Sequence, residues 1–176
     1  MNYYSLKLLG LERKLPIVSL SPKLKIASFN LLGDRELINL AARSLVNKVS
    51  KIKFDYLVGP ELKVVPLLHE MANILKQPRY FVCRKGIMGY MVDPVVSKQK
   101  PNLVLDGSDA RHLKGKRVVI VDDVVSTGRT IRVLKGLMQE VGAAVEAVAT
   151  VLRQGNEIDP ELTDLISLGN LPLFKS

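Results

Sequence analysis

The sequence predicts an α/β fold with a central, mostly parallel sheet flanked by helices, and three observations carry that expectation. Short aliphatic runs at 55–59, 79–84, 117–121 and 143–152 alternate with segments whose apolar residues recur at helical spacing. Hydrophobic residues make up 47% of the chain and aromatics 5%, with no tryptophan, which suits an aliphatic α/β core better than an aromatic-rich sandwich. No internal repeat or low-complexity linker divides the 176 residues, so residues 1–176 are expected to form a single domain.

The elements follow in order. The first fourteen residues lack a charged start, a sustained apolar stretch and a small-residue cleavage site, and read as mature protein. Residues 15–20 and 24–29 are expected as short strands separated by Ser21 and Pro22, after which Gly33 and Asp34 supply a turn and a helix N-cap. Ile38, Ala41, Ala42, Leu45 and Val49 then share one helical face, with Arg43 and Lys48 directed elsewhere. The strand at 55–59 runs into Gly59-Pro60-Glu61-Leu62-Lys63, followed by a helix marked by Val64, Leu67, Leu68, Met71 and Leu75. Pro66 fits only that helix's first turn. The strand at 79–84 ends in Arg84-Lys85-Gly86, and 86–102, rich in breakers and lysine and without a period, reads as a mobile hood. Ile131, Leu134, Leu137, Met138 and Val141 mark a helix stopped by Gly142, and the strand at 143–152 completes a β-α-β unit with a right-handed crossover.

The most informative stretch is 118–130. Val118, Val119, Ile120 and Val121 form a β-branched run of the kind a buried parallel strand requires. Asp122 and Asp123 interrupt it, which places two carboxylates at the strand's carboxyl edge, where open α/β sheets bind ligands. Behind them Ser126, Thr127, Gly128, Arg129 and Thr130 open a helix whose first N–H groups and dipole favour a phosphate. The order reads as a sugar-phosphate cradle. It is not a Walker loop, because the G-x-x-x-x-G-K-[ST] spacing and its lysine are missing.

This stretch resembles the phosphoribosyl-pyrophosphate signature of the type I phosphoribosyltransferases, closest to the adenine and xanthine branch. The resemblance spans approximately 25–155 and implies the type I phosphoribosyltransferase fold, with 1–32 as a small base-proximal N-terminal region and 86–102 as the hood. It implies that Asp122 and Asp123 meet the ribose hydroxyls directly or through substrate-bound magnesium, and that residues 126–130 hold the 5-phosphate. Glu61, Leu62 and Lys63 resemble a pyrophosphate-binding loop, which in the family commonly carries a non-proline cis peptide. Arg84 and Lys85 resemble a pair that binds pyrophosphate, often across a dimer interface, which implies a homodimer. Phe29 and Asn30 resemble a base-proximal segment, with the ring stacking on a purine and the amide meeting its edge. A core phenylalanine and a turn asparagine is the equally weighted reading. The implied reaction is displacement at ribose C1: magnesium neutralises the pyrophosphate, and a purine nitrogen attacks with inversion. A pyrimidine or orotate enzyme on the same scaffold is a second possibility.

The remaining features bound the setting. Net charge is +9, from 26 basic and 17 acidic residues. The basic residues are dispersed along the chain, which favours a cationic surface serving a polyanionic small molecule over nucleic acid, although a phosphoribosyl-pyrophosphate-sensing regulator that binds nucleic acid stays open. Cys83 is the sole cysteine and no apolar run reaches membrane-spanning length, so a reducing cytoplasm is expected and a membrane is not. His69 and His112 have neither metal-ligand nor triad spacing and read as surface residues.

Overall fold

Five parallel strands form the middle of the computed structural model, which describes residues 2–155, 162 and 165–175. They are β4 (Tyr56–Pro60), β5 (Phe81–Cys83), β8 (Arg117–Val125), β9 (Ala144–Gln154) and β10 (Ile166–Leu171), in the order β10-β9-β8-β4-β5. Helices α1 (Arg35–Val49) and α2 (Val65–Leu75) share one apolar cluster with Val119 and Val121 of β8. Helices α3 (Gly107–Leu113) and α4 (Arg129–Glu140) share a second with Val118 and Ile120. The split follows from strand geometry, since successive side chains point to opposite faces. Leu37, Leu45, Leu67, Leu68 and Met71 are buried between α1, α2 and the sheet, each such side chain contributing roughly 2 kcal/mol.

The helices begin and end where their sequences direct. Asp34 caps α1 by accepting from the Leu37 N–H at 3.1 Å. Pro66 occupies the first turn of α2, and Lys76 ends that helix in the left-handed region at φ 54°.

The larger departures from expectation lie at the two ends and in the hood. The N-terminal residues are not a plain lead-in: β1 (Tyr3–Leu8), β2 (Leu11–Ser21) and β3 (Leu24–Ala27) form an antiparallel sheet. The C-terminal β11 (Leu173–Lys175) adds to β3 as a fourth strand. Strand β8 does not stop at Asp122; it runs on to Val125, with Asp122 paired to Thr150 of β9. The hood has order of its own, because β6 (Val95–Val96) pairs with β7 (Val104–Leu105) as a short hairpin. The Ser97 hydroxyl accepts from the Leu103 N–H at 2.9 Å and donates to the Gln99 carbonyl at 3.1 Å, which holds the loop between them. Strands of two residues are too short to leave a period in the sequence.

Candidate active site

Three neighbouring strands deliver their carboxyl ends to one cleft of about 900 Å³. Strand β8 supplies Asp122, Asp123 and Val124, the end of β4 supplies Pro60 to Val64, and the end of β5 supplies Lys85. Thr130 in the first turn of α4 closes one side, and Asn30 and Leu32 close another. Gly59 makes the close packing of β4 on β8 possible, because a Cβ there would lie 2.6 Å from the Val121 carbonyl oxygen.

The two aspartates differ in environment. Asp122 is only 8% exposed, and its Oδ1 accepts from the Asp123 N–H at 2.8 Å. Burial first, and the Asp123 charge second, push its carboxyl up to about 8, while Lys63 pulls the other way. Asp123 is half-buried, and its Oδ1 accepts from the Val124 N–H at 3.0 Å. The pair therefore presents one carboxyl that favours its proton and one more open to water. Such a pair can both donate to and accept from vicinal hydroxyls.

Directly behind, Gly128 sits in the left-handed region at φ 72° and offers no side chain to cap α4. The first N–H groups of that helix lack intrahelical partners, and their dipole favours an anion. Ser126, Thr127 and Arg129 are exposed beside this start rather than on the cleft wall. The Arg129 Nε donates to the Lys100 carbonyl at 3.1 Å, which fastens the hood to α4.

The 60–63 loop carries a cis peptide between Glu61 and Leu62, the feature implied by the resemblance. Glu61 adopts a geometry that the sequence did not suggest. Its carboxylate accepts from the Lys85 N–H at 2.8 Å and forms a close ion pair with the Arg84 guanidinium. The Lys85 N–H, assisted by Arg84, holds the Glu61 carboxyl below its ordinary value. The Glu61 side chain therefore braces the two basic residues. Arg84 also meets the Tyr90 hydroxyl of the hood and stands back from the cleft, which leaves Lys63 and Lys85 as its lining cations.

Of the two readings of Phe29, the structure takes the core one and corrects the base-stacking one: the residue is 5% exposed, packs in the core cluster with Leu31 and Leu37, and is not offered to the cleft. Asn30 does reach the cleft, and its Oδ1 accepts from the Leu32 N–H at 3.3 Å, so the amide NH2 is the group left to meet a ligand. The cleft wall also holds Ser28, Pro101, Asn102 and Leu103, of which Ser28 falls in the base-proximal segment and Pro101 and Asn102 in the expected hood, none singled out by sequence. The last three arrive by the return arm of the hood hairpin, whose Lys100–Pro101 peptide is cis. The breaker pair Lys100-Pro101 was the one local signal for them. His69 and His112 are exposed as expected, and no cluster of three or more metal-ligating side chains occurs among the described residues.

Residues 31–170 match the family described as the phosphoribosyl transferase domain. The adenine phosphoribosyltransferase of Mycoplasmopsis agalactiae is 31% identical over 136 residues, covering 77% of this chain and 74% of that protein. The hypoxanthine/guanine phosphoribosyltransferase of Methanopyrus kandleri is 32% identical over 124 residues, covering 68% of this chain and 64% of that protein. Among solved structures, the adenine phosphoribosyltransferase of Thermoanaerobacter pseudethanolicus superposes with a TM-score of 0.69 at 24% identity, covering 89% of this chain and 95% of that one. The family match spans 31–170, so all four strands of the antiparallel sheet, β1, β2, β3 and β11, lie outside it.

Proposed function

The chain belongs to the phosphoribosyltransferase family, and from that premise we propose that it carries the 5-phosphoribosyl group of phosphoribosyl pyrophosphate to a purine nucleobase, releasing a nucleoside monophosphate and pyrophosphate. The observation that supports this most is the convergence of Asp122, Asp123, Lys63, Lys85 and the open start of α4 on one cleft. A ribose set against the two aspartates has its 5-phosphate at the helix start and its pyrophosphate toward the two lysines. The relatives named for adenine and for hypoxanthine and guanine support a purine as the acceptor.

In this reading the protein positions and screens rather than forming a covalent intermediate. The helix start anchors one end of the donor, Lys63 and Lys85 hold the departing pyrophosphate, and the aspartates face the charge that develops on the ribose. With two carboxylates and no larger ligand cluster among the described residues, the donor set suits a magnesium ion that enters with the substrate, held by its oxygens and by Asp122 and Asp123 indirectly. That ion would neutralise the leaving pyrophosphate. The Asn30 NH2 is a donor suited to a carbonyl or ring nitrogen on a purine edge. The reading extends to a homodimer through the exposed hood and, with Cys83 buried as a free thiol, to a reducing cytoplasm.

The test is incubation with phosphoribosyl pyrophosphate, magnesium and, separately, adenine, hypoxanthine, guanine, xanthine and orotate. Nucleotide and pyrophosphate are expected in equal amounts with at least one purine, and Asp123→Asn is expected to lower kcat by about 100-fold or more. Turnover of orotate alone, turnover of no base, or an unaffected Asp123→Asn overturns the proposal.

A further inference from the structure

Basic residues that are scattered along the sequence gather at one end of the molecule, opposite the cleft. The connections entering the sheet at its amino edge are 50–55 before β4, 76–80 before β5 and 114–116 before β8. Hydrogen bonds from the Asp55 N–H to the Arg117 carbonyl at 2.8 Å and from the Ala144 N–H to the Lys116 carbonyl at 2.8 Å tie this edge together. Lys51, Lys53, Lys76, Arg79, Lys114 and Lys116 all lie on these connections, and Lys48 lies in the last turn of α1. All seven are exposed, and none has an ion pair among the described residues.

The acids described on this edge do not balance them. Asp55 is engaged by Arg117, whose Nη2 lies 3.1 Å from its carboxylate, and also faces Lys116, Glu146 faces the same arginine, and Asp109 of α3 faces Arg79, which leaves the other five without an acidic neighbour among these. The carboxyl ends of α1, α2, α3 and α4 also point here, and each carries roughly half a negative charge. Helix ends of that size account for about two of the seven cations and leave most of the field uncompensated. Capping of helix dipoles is therefore too small an explanation.

The shape of the edge narrows the partner. Among the exposed large apolar side chains only Ile74, in the last turn of α2, lies near these connections, so the edge lacks the broad exposed apolar patch that membrane insertion or an apolar protein face requires. It holds a depression of about 520 Å³, lined by Phe54, Tyr56, Leu75, Pro78 and Lys116 among others. Lys116 lines this depression beside two half-buried aromatic rings while the other six cations lie on the same edge, an arrangement that suits a flexible phosphate polymer with planar bases. We propose that this amino-edge face binds single-stranded nucleic acid, independently of the catalytic cleft.

The probe is a fluorescently labelled single-stranded RNA of about 16 nucleotides and mixed sequence, followed by anisotropy between about 50 and 200 mM salt. Wild-type protein is expected to bind more tightly than about 100 μM at the low end. Replacing Lys51, Lys53, Lys114 and Lys116 together by glutamine is expected to weaken binding at least tenfold. The same replacement should flatten the logarithmic salt slope by about 3. Phosphoribosyl transfer by that variant should be unchanged, which separates this proposal from the one above. A control replacing the exposed Lys7, Lys14, Lys23 and Lys25 of the N-terminal sheet by glutamine removes the same charge and should bind like wild type. If the fourfold variant does not fold, the 51/53 and 114/116 pairs, tested separately, must each lose part of the affinity. Failure of wild type to bind, equal loss in the control, or equal affinity for the matching duplex overturns the proposal.

Discussion

At the scale of single residues, Asp122 carries a conflict between folding and chemistry. Its carboxyl is buried beside another acid, and its value in the fold, about 8, stands far above the unfolded value near 3.9. An acid shifted upward contributes stability that is fully present below its unfolded value and is lost as pH rises through its folded value. Asp122→Asn removes that loss while keeping the shape. The melting temperature of the variant should approach wild type toward pH 4 and exceed it by several degrees near pH 8, while transfer activity collapses. Calorimetric scans across that range check it, and a variant less stable than wild type at pH 8 would show that the aspartate is not held at a cost. Glu61 shows the opposite economy: its charge sits against the Lys85 amide and the Arg84 guanidinium, so the fold favours its ionised form.

At the scale of elements, the N-terminal sheet is joined to the α/β body by one polar hinge as well as by the core. The Arg13 Nε lies 2.7 Å from Asp34, the cap of α1, and its Nη2 lies 2.8 Å from Glu36 in the first turn. Asp34 thus serves a cap and a sheet contact at once, and Arg13, helped by the Leu37 N–H, holds its carboxyl below the ordinary value. Asp34→Ala is expected to cost about 1 kcal/mol as a lost cap, or about 3 °C in melting temperature for a chain of this size. Because the folded value is depressed, the difference should be present above the unfolded value and shrink as pH falls through the folded one, which melting curves at several pH values would register. The elements that were legible in sequence are those that encode themselves locally. Helix α1 has a cap and an apolar stripe, α4 has a stripe, and β8 has an unbroken β-branched start. Strand β11 is three residues long and exists by pairing with β3 from the far end of the chain, and it leaves no local trace. Helix α3 has seven residues, of which only Gly107 and Leu113 are buried, so beyond its Asp106 cap it carries no apolar stripe. The same division holds in the cleft: Asp122, Asp123 and Thr130 could be placed from one contiguous stretch, whereas the grip of Glu61 on Arg84 spans 23 residues of sequence and needs β4 and β5 to be neighbours.

At the scale of the whole molecule, the carboxyl edge of the sheet and the hood leave apolar surface unspent. Leu62, Ile87, Tyr90 and Val92 are each at least 60% exposed. Arg84 ties Glu61, the neighbour of Leu62, to Tyr90. Leu62 lines the cleft with Lys63 and Lys85. A second copy of the chain seated there would cover the apolar residues and wall the cleft, which excludes water from the reacting ribose and strengthens each charge contact within. Sedimentation velocity should therefore find a dimer at micromolar protein, and Ile87→Asp combined with Tyr90→Asp should shift it to monomer. Both side chains are exposed, so the monomer fold should stay intact by circular dichroism, and Tyr90→Phe, which removes only the Arg84 contact, should stay dimeric, so that the change in mass reports the interface. A wild-type monomer, or a dimer indifferent to the two aspartates, would place the association elsewhere. If the monomer forms and still turns over at the wild-type rate, the wall of the cleft is complete within one chain, and the hood hairpin with Pro101, Asn102 and Leu103 supplies it.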